Sequence, residues 1–241
     1  MSLRSLRSVR SMRFARSFAL GCLAATGCLH AQQSPAGSAA GPWTNLLDGS
    51  AAAWRGYRAT TLPAGWTFDA ATGVLADATP GGGDIITRVQ YGDFELELDW
   101  RISSKGNSGV FFRAGEGTED IYENAPEMQI LDNGGHPDGR NPLTSAGSNF
   151  ALIAPSADVT RPVGEWNRAR LVVTGSHVEH WLNGTKLLEY ELWSPAWKAL
   201  VGASKFRQWP TYGLATRGHI GLQDHGNVVA FRNIRIREIS R

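Results

Sequence analysis

Cysteine is nearly missing from this chain: Cys22 and Cys28 are the only two, so nothing beyond residue 28 can form a disulfide or a thiolate metal site. A domain built from the remainder must be held by its core. No apolar run reaches the roughly 20 residues a membrane-spanning helix needs, and Phe18 to Leu29 is too short for that role. Acidic residues are absent from residues 1–31, which instead carry Arg4, Arg7, Arg10, Arg13 and Arg16 ahead of the apolar run. That is the form of a secretory signal peptide, expected over residues 1–31. Cleavage after LeuHisAla at Ala31 predicts a secreted or periplasmic protein, while AlaThrGly before Cys28, an imperfect lipobox, makes lipid anchoring at Cys28 the alternative. Residues 32–42 read as a flexible spacer and 43–241 as one domain.

Removing residues 1–31 takes five Arg and no acid from 24 Lys+Arg and 22 Asp+Glu, leaving 19 against 22 and a net charge of −3. The basic balance of the whole chain therefore belongs to the leader, and no nucleic-acid partner is expected.

Helical periodicity is also scarce. Only SPAWKALVGASKF (194–206) has helical spacing, and it predicts one short helix. Strand patterns fill the rest. In DFELELDWRIS, Phe94, Leu96, Leu98 and Trp100 face one way and Glu95, Glu97, Asp99 and Arg101 the other. Further strands are expected at 109–114, 127–132, 167–175, 218–226 and 229–239, the last with a break near Asn233. HVEHWLNGTKLLEYEL reads as a hairpin turning at Asn183-Gly184. Short strands with 28 Gly and almost no helix indicate an all-β fold, a two-sheet antiparallel β-sandwich of jelly-roll type. A curved sandwich offers a concave groove, and nine Trp and five Tyr suit stacking on sugar rings, although each single Trp is more simply a core residue.

The polar residues of these strands fall on faces by the period of two. Glu127 and Gln129 share a face opposite Met128 and Ile130. Arg113 groups with Phe111, and His219, Gln223 and His225 lie opposite Ile220 and Leu222. Each has a plainer reading as a solvated strand face, and DNGGHPDG reads equally as a turn in which Asp and Asn cap their own backbone. A glycosidase with paired carboxylates fits poorly: Glu127 and Asp132 differ by five positions, roughly 16 Å along a strand, and have opposite parity.

The stretches NSGVFFR (107–113), EMQILDNGGHPDG (127–139), GEWNRARLVVTGSHVEHWLNGTKLLEYEL (164–192), WKALVGASKF (197–206) and GHIGLQDHGNVVAFRNIRIREI (218–239) resemble, in this order, the 3-keto-disaccharide (3-keto-glucoside) hydrolase family of secreted bacterial proteins. The resemblance runs from about Trp43 to Ile239 and implies a concanavalin-like jelly roll. It also implies a carbohydrate substrate already oxidised at carbon 3 by a sugar 3-dehydrogenase, which makes the C2 hydrogen acidic. A base removes it, the anomeric substituent leaves by β-elimination, and water adds, so the end point is that of a hydrolase or a lyase. On this resemblance Glu127, His225 and His136 are the candidate catalytic base or acid, and Arg113, Gln129, Gln223 and Lys205 the candidate substrate-binding residues. Asp132, His136, Asp138 and His225 are candidate ligands for a divalent metal ion acting as a Lewis acid. A non-catalytic carbohydrate-binding module and a conventional glycosidase on unoxidised sugar remain the alternatives.

Overall fold

The computed structural model describes residues 39–79 and 81–240. The expected signal peptide, its cleavage site, the lipid-anchor alternative at Cys28 and most of the spacer lie outside them. Among the described residues no helix is long and apolar enough to cross a membrane.

Two antiparallel sheets stack face to face. The larger runs, in spatial order, β12 (Thr185–Glu191), β11 (His177–Leu182), β10 (Asn167–Thr174), β7 (Phe94–Ile102), β14 (Val229–Ser240), β5 (Val74–Asp77) and β4 (Trp66–Asp69). Short strands β1 (Ala39–Ala40) and β2 (Thr44–Asn45) also pair with β14. The smaller sheet runs β3 (Trp54–Gly56), β6 (Ile85–Thr87), β13 (His219–Leu222), β8 (Asn107–Ala114) and β9 (Glu127–Leu131). The expected jelly-roll sandwich is the fold found.

The core follows from alternation. Phe94, Leu96, Leu98 and Trp100 of β7 meet Val110, Phe112, Met128, Ile130, Ile220 and Leu222 from the smaller sheet, all buried. Truncating a Phe or Trp in such a core costs about 3–5 kcal/mol, which is why a domain without disulfides needs nothing further. The opposite face of β7 carries Glu95, Glu97 and Asp99 between rows of Arg on β10 and β14. Glu97 meets Arg168 at 2.5 Å and Arg235 at 2.6 Å, Asp99 meets Arg232 at 3.2 Å, and Glu95 binds both Arg170 and Arg237. These pairs hold three neighbouring strands in register on the outer face of the sheet, with the Arg side chains partly exposed and Glu95 buried between two of them.

Local signals landed where expected. Asn183 and Gly184 take φ of 49° and 83° in the β11–β12 turn, and Asn233 takes φ of 53° where the pairing of β14 with β7 shifts register. The one α-helix among the described residues, α1 (Pro195–Ala203), starts at Ser194, whose side chain accepts the Trp197 N–H.

Candidate active site

The smaller sheet turns Glu127, Gln129, Gly109 and Phe111 away from the core, because their neighbours Met128, Ile130, Val110 and Phe112 take the inner face. On the outer side, loops cover this face in two ways. Ile121 and Ala125 bury Phe111 and Ile86 in a small apolar cluster. Beside it lies a cavity of about 560 Å3, a usual size for a small-molecule site.

Glu127 and Gln129 line this cavity from edge strand β9, and Gln223, Asp224 and His225 line it from the end of β13. The loop Gly82-Gly83-Asp84 before β6, Asp120 and Tyr122 at a 3-10 turn, Asp138 at another, and Lys205 after α1 complete most of its wall. Of the residues singled out from the sequence, Glu127, Gln129, Asp138, Lys205, Gln223 and His225 therefore come together.

Glu127 is 4% exposed, and its carboxyl makes no hydrogen bond among the described residues. Loss of hydration pushes its pKa up to about 8; the Lys205 ammonium opposes this, and the charges of Asp84 and Asp138 reinforce it. Lys205 extends its ammonium over three rings, 4.5 Å from the centre of Phe150, 5.2 Å from Phe206 and 5.4 Å from Tyr122. Burial lowers its pKa, while Glu127 and Asp138 work in the other direction. A desolvated carboxyl facing a caged cation is a base beside an electrostatic partner. Gln129 Nε2 donates to Asn107 Oδ1 at 3.2 Å and to the Thr144 carbonyl at 3.3 Å, which fixes the amide. Its Oε1, like Gln223 Oε1, has no donor among the described residues. Both are acceptors suited to a hydroxyl-rich ligand.

Three predicted site residues lie elsewhere. Arg113 was expected beside Phe111 on the groove face, but its φ of 51° breaks the alternation of β8. The side chain is 2% exposed and turns to the other end of the sandwich, where it donates to the Gly92 carbonyl and to Asp93, each at 3.1 Å, and lies over Trp193. It is not placed to bind a ligand of this cavity. Asp132 accepts backbone N–H groups from Lys105 at 2.8 Å and Gly135 at 3.0 Å, so it caps its own turn. His136 starts the 3-10 turn Pro137–Arg140, its Nδ1 accepting the Asp138 N–H at 3.1 Å, and it reaches the cavity only through its edge contact with the His225 ring, centroids 6.4 Å apart.

The expected metal quartet consequently does not assemble. Among the described residues, three candidate donor atoms lie within 4.8 Å of one another only at His177, Glu179 and Glu189. There the His177 ring sits 2.7 Å from Glu191 and Lys186 sits 2.5 Å from Glu189, so the group is a paired surface network on the far sheet. His219, predicted on the same wall as Gln223, is buried against the Thr87 carbonyl at 2.6 Å and does not line the cavity.

Asp84, Asp224, Asp120, Tyr57, Tyr122, Asn107 and Phe150 were not foreseen. One signal was available: GGGD at 81–84 places an acid directly after a glycine run at the mouth of a strand.

A family model described as a 3-keto-alpha-glucoside-1,2-lyase-like domain matches residues 42–237. A 3-keto-disaccharide hydrolase from Bacteroides thetaiotaomicron is 39% identical over 215 residues, 76% of this chain and 73% of the relative. A crystal structure of a candidate glycosyl hydrolase from Parabacteroides distasonis is similar at TM-score 0.75 and 31% identity, covering 81% of this chain and 93% of that one. A galectin-like protein from Bacillus subtilis, 15% identical with TM-score 0.54 over 86% of this chain and 99% of its own, shares the fold alone. A matching model across nearly the whole sandwich, with a relative this similar over most of both chains, places the protein in the 3-keto-alpha-glucoside-1,2-lyase-like family, alongside the 3-keto-disaccharide hydrolases.

Proposed function

We propose that the protein cleaves 3-keto-glycosides, with Glu127 removing the proton from C2. The observation that carries this reading is the Glu127 carboxyl, desolvated without a hydrogen-bond partner among the described residues and raised to about 8, facing the caged Lys205 ammonium in one cavity. An ionised carboxyl with a pKa near the working pH is a competent base for a hydrogen acidified by an adjacent ketone. Lys205 supplies positive charge where the enolate oxygen develops, in a site that excludes much of the water. Gln129 and Gln223 take sugar hydroxyls as donors to their free oxygens, and His225 at the rim lies toward the aglycone. Elimination breaks the bond from C1 to the leaving oxygen and forms C1=C2; addition of water across that bond completes hydrolysis, while release before addition gives the lyase product.

The substrate must come from an enzyme that oxidises a glycoside at carbon 3. The N-terminal leader supports a secreted or periplasmic site of action, with lipidation at Cys28 as the alternative. The relative's name, a 3-keto-disaccharide hydrolase, agrees with this substrate class.

Incubation with a glucoside and with its 3-keto derivative tests the reading. Cleavage of the keto form alone, slowed by deuterium at C2, is expected. Binding of either sugar without turnover makes the protein a carbohydrate-binding module, and cleavage of the unoxidised form makes it a conventional glycosidase. Lys205→Met is expected to lower kcat by about 10²-fold on the keto substrate, and an unchanged kcat removes Lys205 from enolate stabilisation.

A further inference from the structure

Asp84 is the second carboxyl of the cavity whose position is fixed yet whose charge is not fully claimed. Its carbonyl accepts the Tyr57 N–H at 2.8 Å and its Oδ1 accepts the Asp224 N–H at 2.9 Å, while Oδ2 makes no hydrogen bond among the described residues. The other acids of the wall are committed or wet. Asp224 accepts N–H groups from Gly81, Gly83 and Gly226 at 2.6, 2.9 and 2.9 Å. Burial disfavours its charge, but these donors outweigh burial and lower its pKa, so it stays an anion that braces the glycine loop. Asp138 has a side chain 40% exposed beside His136, and Asp120 is exposed at the rim. Asp84, by contrast, is pushed up to about 7, first by desolvation and then, against the Asp224 N–H, by the charges of Asp224 and Asp120. It can hold a proton at neutral pH and release it.

Its place relative to Glu127 follows from the sheet. The Glu127 side chain lies across Gly109 of the neighbouring strand, so closely that a Cβ built there would be 1.9 Å from Oε1. Asp84 enters β6, two strands beyond that point in the order β6-β13-β8. At ~4.8 Å per strand the backbones beneath the two carboxyls stand roughly 10 Å apart, and both side chains line the cavity above them. An acid, the glycosidic oxygen, C2 and a base, each within about 3 Å of the next, fit within that width.

We propose that Asp84 is a catalytic acid of this site, giving its proton to the glycosidic oxygen as the C1–O bond breaks, while Glu127 takes the C2 proton from the other side. The electron pair of the C2–H bond becomes C1=C2 and the leaving oxygen departs as an alcohol; the Asp84 carboxylate then recovers a proton by deprotonating the water that adds at C1, while Glu127 returns its proton to C2. This role rests on the 3-keto-glycoside reading, and the leaving group separates the two.

Asp84→Asn keeps the Oδ1 acceptor for the Asp224 N–H, and an unchanged Tm verifies the fold. On a 3-keto glycoside with a sugar or methoxy aglycone, which cannot leave without a proton, the variant is expected to lose about 10²-fold or more in kcat/KM. On the 3-keto 4-nitrophenyl glycoside, whose phenolate leaves unaided, it should stay within a few-fold of wild type, whereas Glu127→Gln fails on both. Equal effects of Asp84→Asn on the two aglycones, whether large or nil, overturn the assignment. A wild-type protein inactive on every keto substrate sinks the parent reading and this one with it.

Discussion

Glu127→Gln is expected to lower kcat on a 3-keto-glycoside by at least about 10²-fold and, at the same time, to raise the melting temperature in alkaline buffer. Both effects have one cause. The carboxyl is kept largely desolvated and without a hydrogen-bond donor among the described residues, which makes it a strong base when ionised and a burden on the fold when charged. Unfolded, Glu127 gives up its proton around its ordinary value of 4.5; folded, it does so around 8. Between those values the native state binds more protons than the unfolded state, so stability falls as pH rises through the window and the full penalty is present above about 8. A neutral Gln carries no such term. The variant should match wild type at pH 5 and exceed it by a few kcal/mol near pH 9, a gain of several degrees in Tm for a domain of this size.

Activity moves in the opposite sense. Because the ionised form is the base, wild-type kcat/KM on the 3-keto 4-nitrophenyl glycoside, whose phenolate leaves without a proton, should rise about tenfold per pH unit up to about 8 and level off above. Lys205, Asp84 and Asp138 face the same carboxyl, so Lys205→Met should shift this limb upward by removing the cation that favours the charge. A rate profile flat from pH 6 to 9, or a Glu127→Gln variant as active as wild type, removes Glu127 as the base.

The strands from β7 onward, the Asn183-Gly184 hairpin and the break at Asn233 were legible because each is dictated by neighbours within a few residues, whereas the short strands β1 to β6 were not. Glu127 and Gln129 could be placed on one face by the same logic. Their burial could not, since alternation alone cannot distinguish a face open to water from one roofed by Phe150, Tyr122 and Lys205, which arrive from three distant loops. Arg113 misled because one left-handed residue inverts the parity of everything after it, and nothing in NSGVFFR announces it. The turn DNGGHPDG was legible as a turn, but its acids look alike in sequence: Asp132 is consumed by backbone N–H groups while Asp138 reaches the cavity. Pairing Glu127 only with acids close along the chain also hid Asp84. That residue becomes a neighbour through two intervening strands, and β6 is too short to show a period of its own.

Gly109→Ala should be nearly as damaging to catalysis as losing the base, although the new methyl group is small. The Cβ would stand 1.9 Å from Glu127 Oε1, 2.7 Å from Cδ and 2.8 Å from Cγ, all distances that require movement. The backbone cannot yield easily, because Gly109 is paired with Gln129 across the ladder and its carbonyl accepts the Gln223 N–H at 3.0 Å. Glu127 must therefore move, and the end of a side chain moves at modest cost, about 1–3 kcal/mol where packing is tight. The displaced carboxyl leaves its desolvated position, so its pKa falls toward the ordinary carboxylate range and the geometry at C2 is lost. A fall of about 10²-fold in kcat is expected, as for other misplacements of a reacting group, with the rising limb of the pH profile displaced to lower pH. Gly221→Ala on the next strand is the matched control: its Cβ would meet Ile121 Cδ1 at 2.5 Å in the apolar cluster, away from the carboxyl. That variant should lose stability and keep its pH profile. If Gly109→Ala retains the wild-type rate and profile, the Glu127 carboxyl does not work from its place over β8.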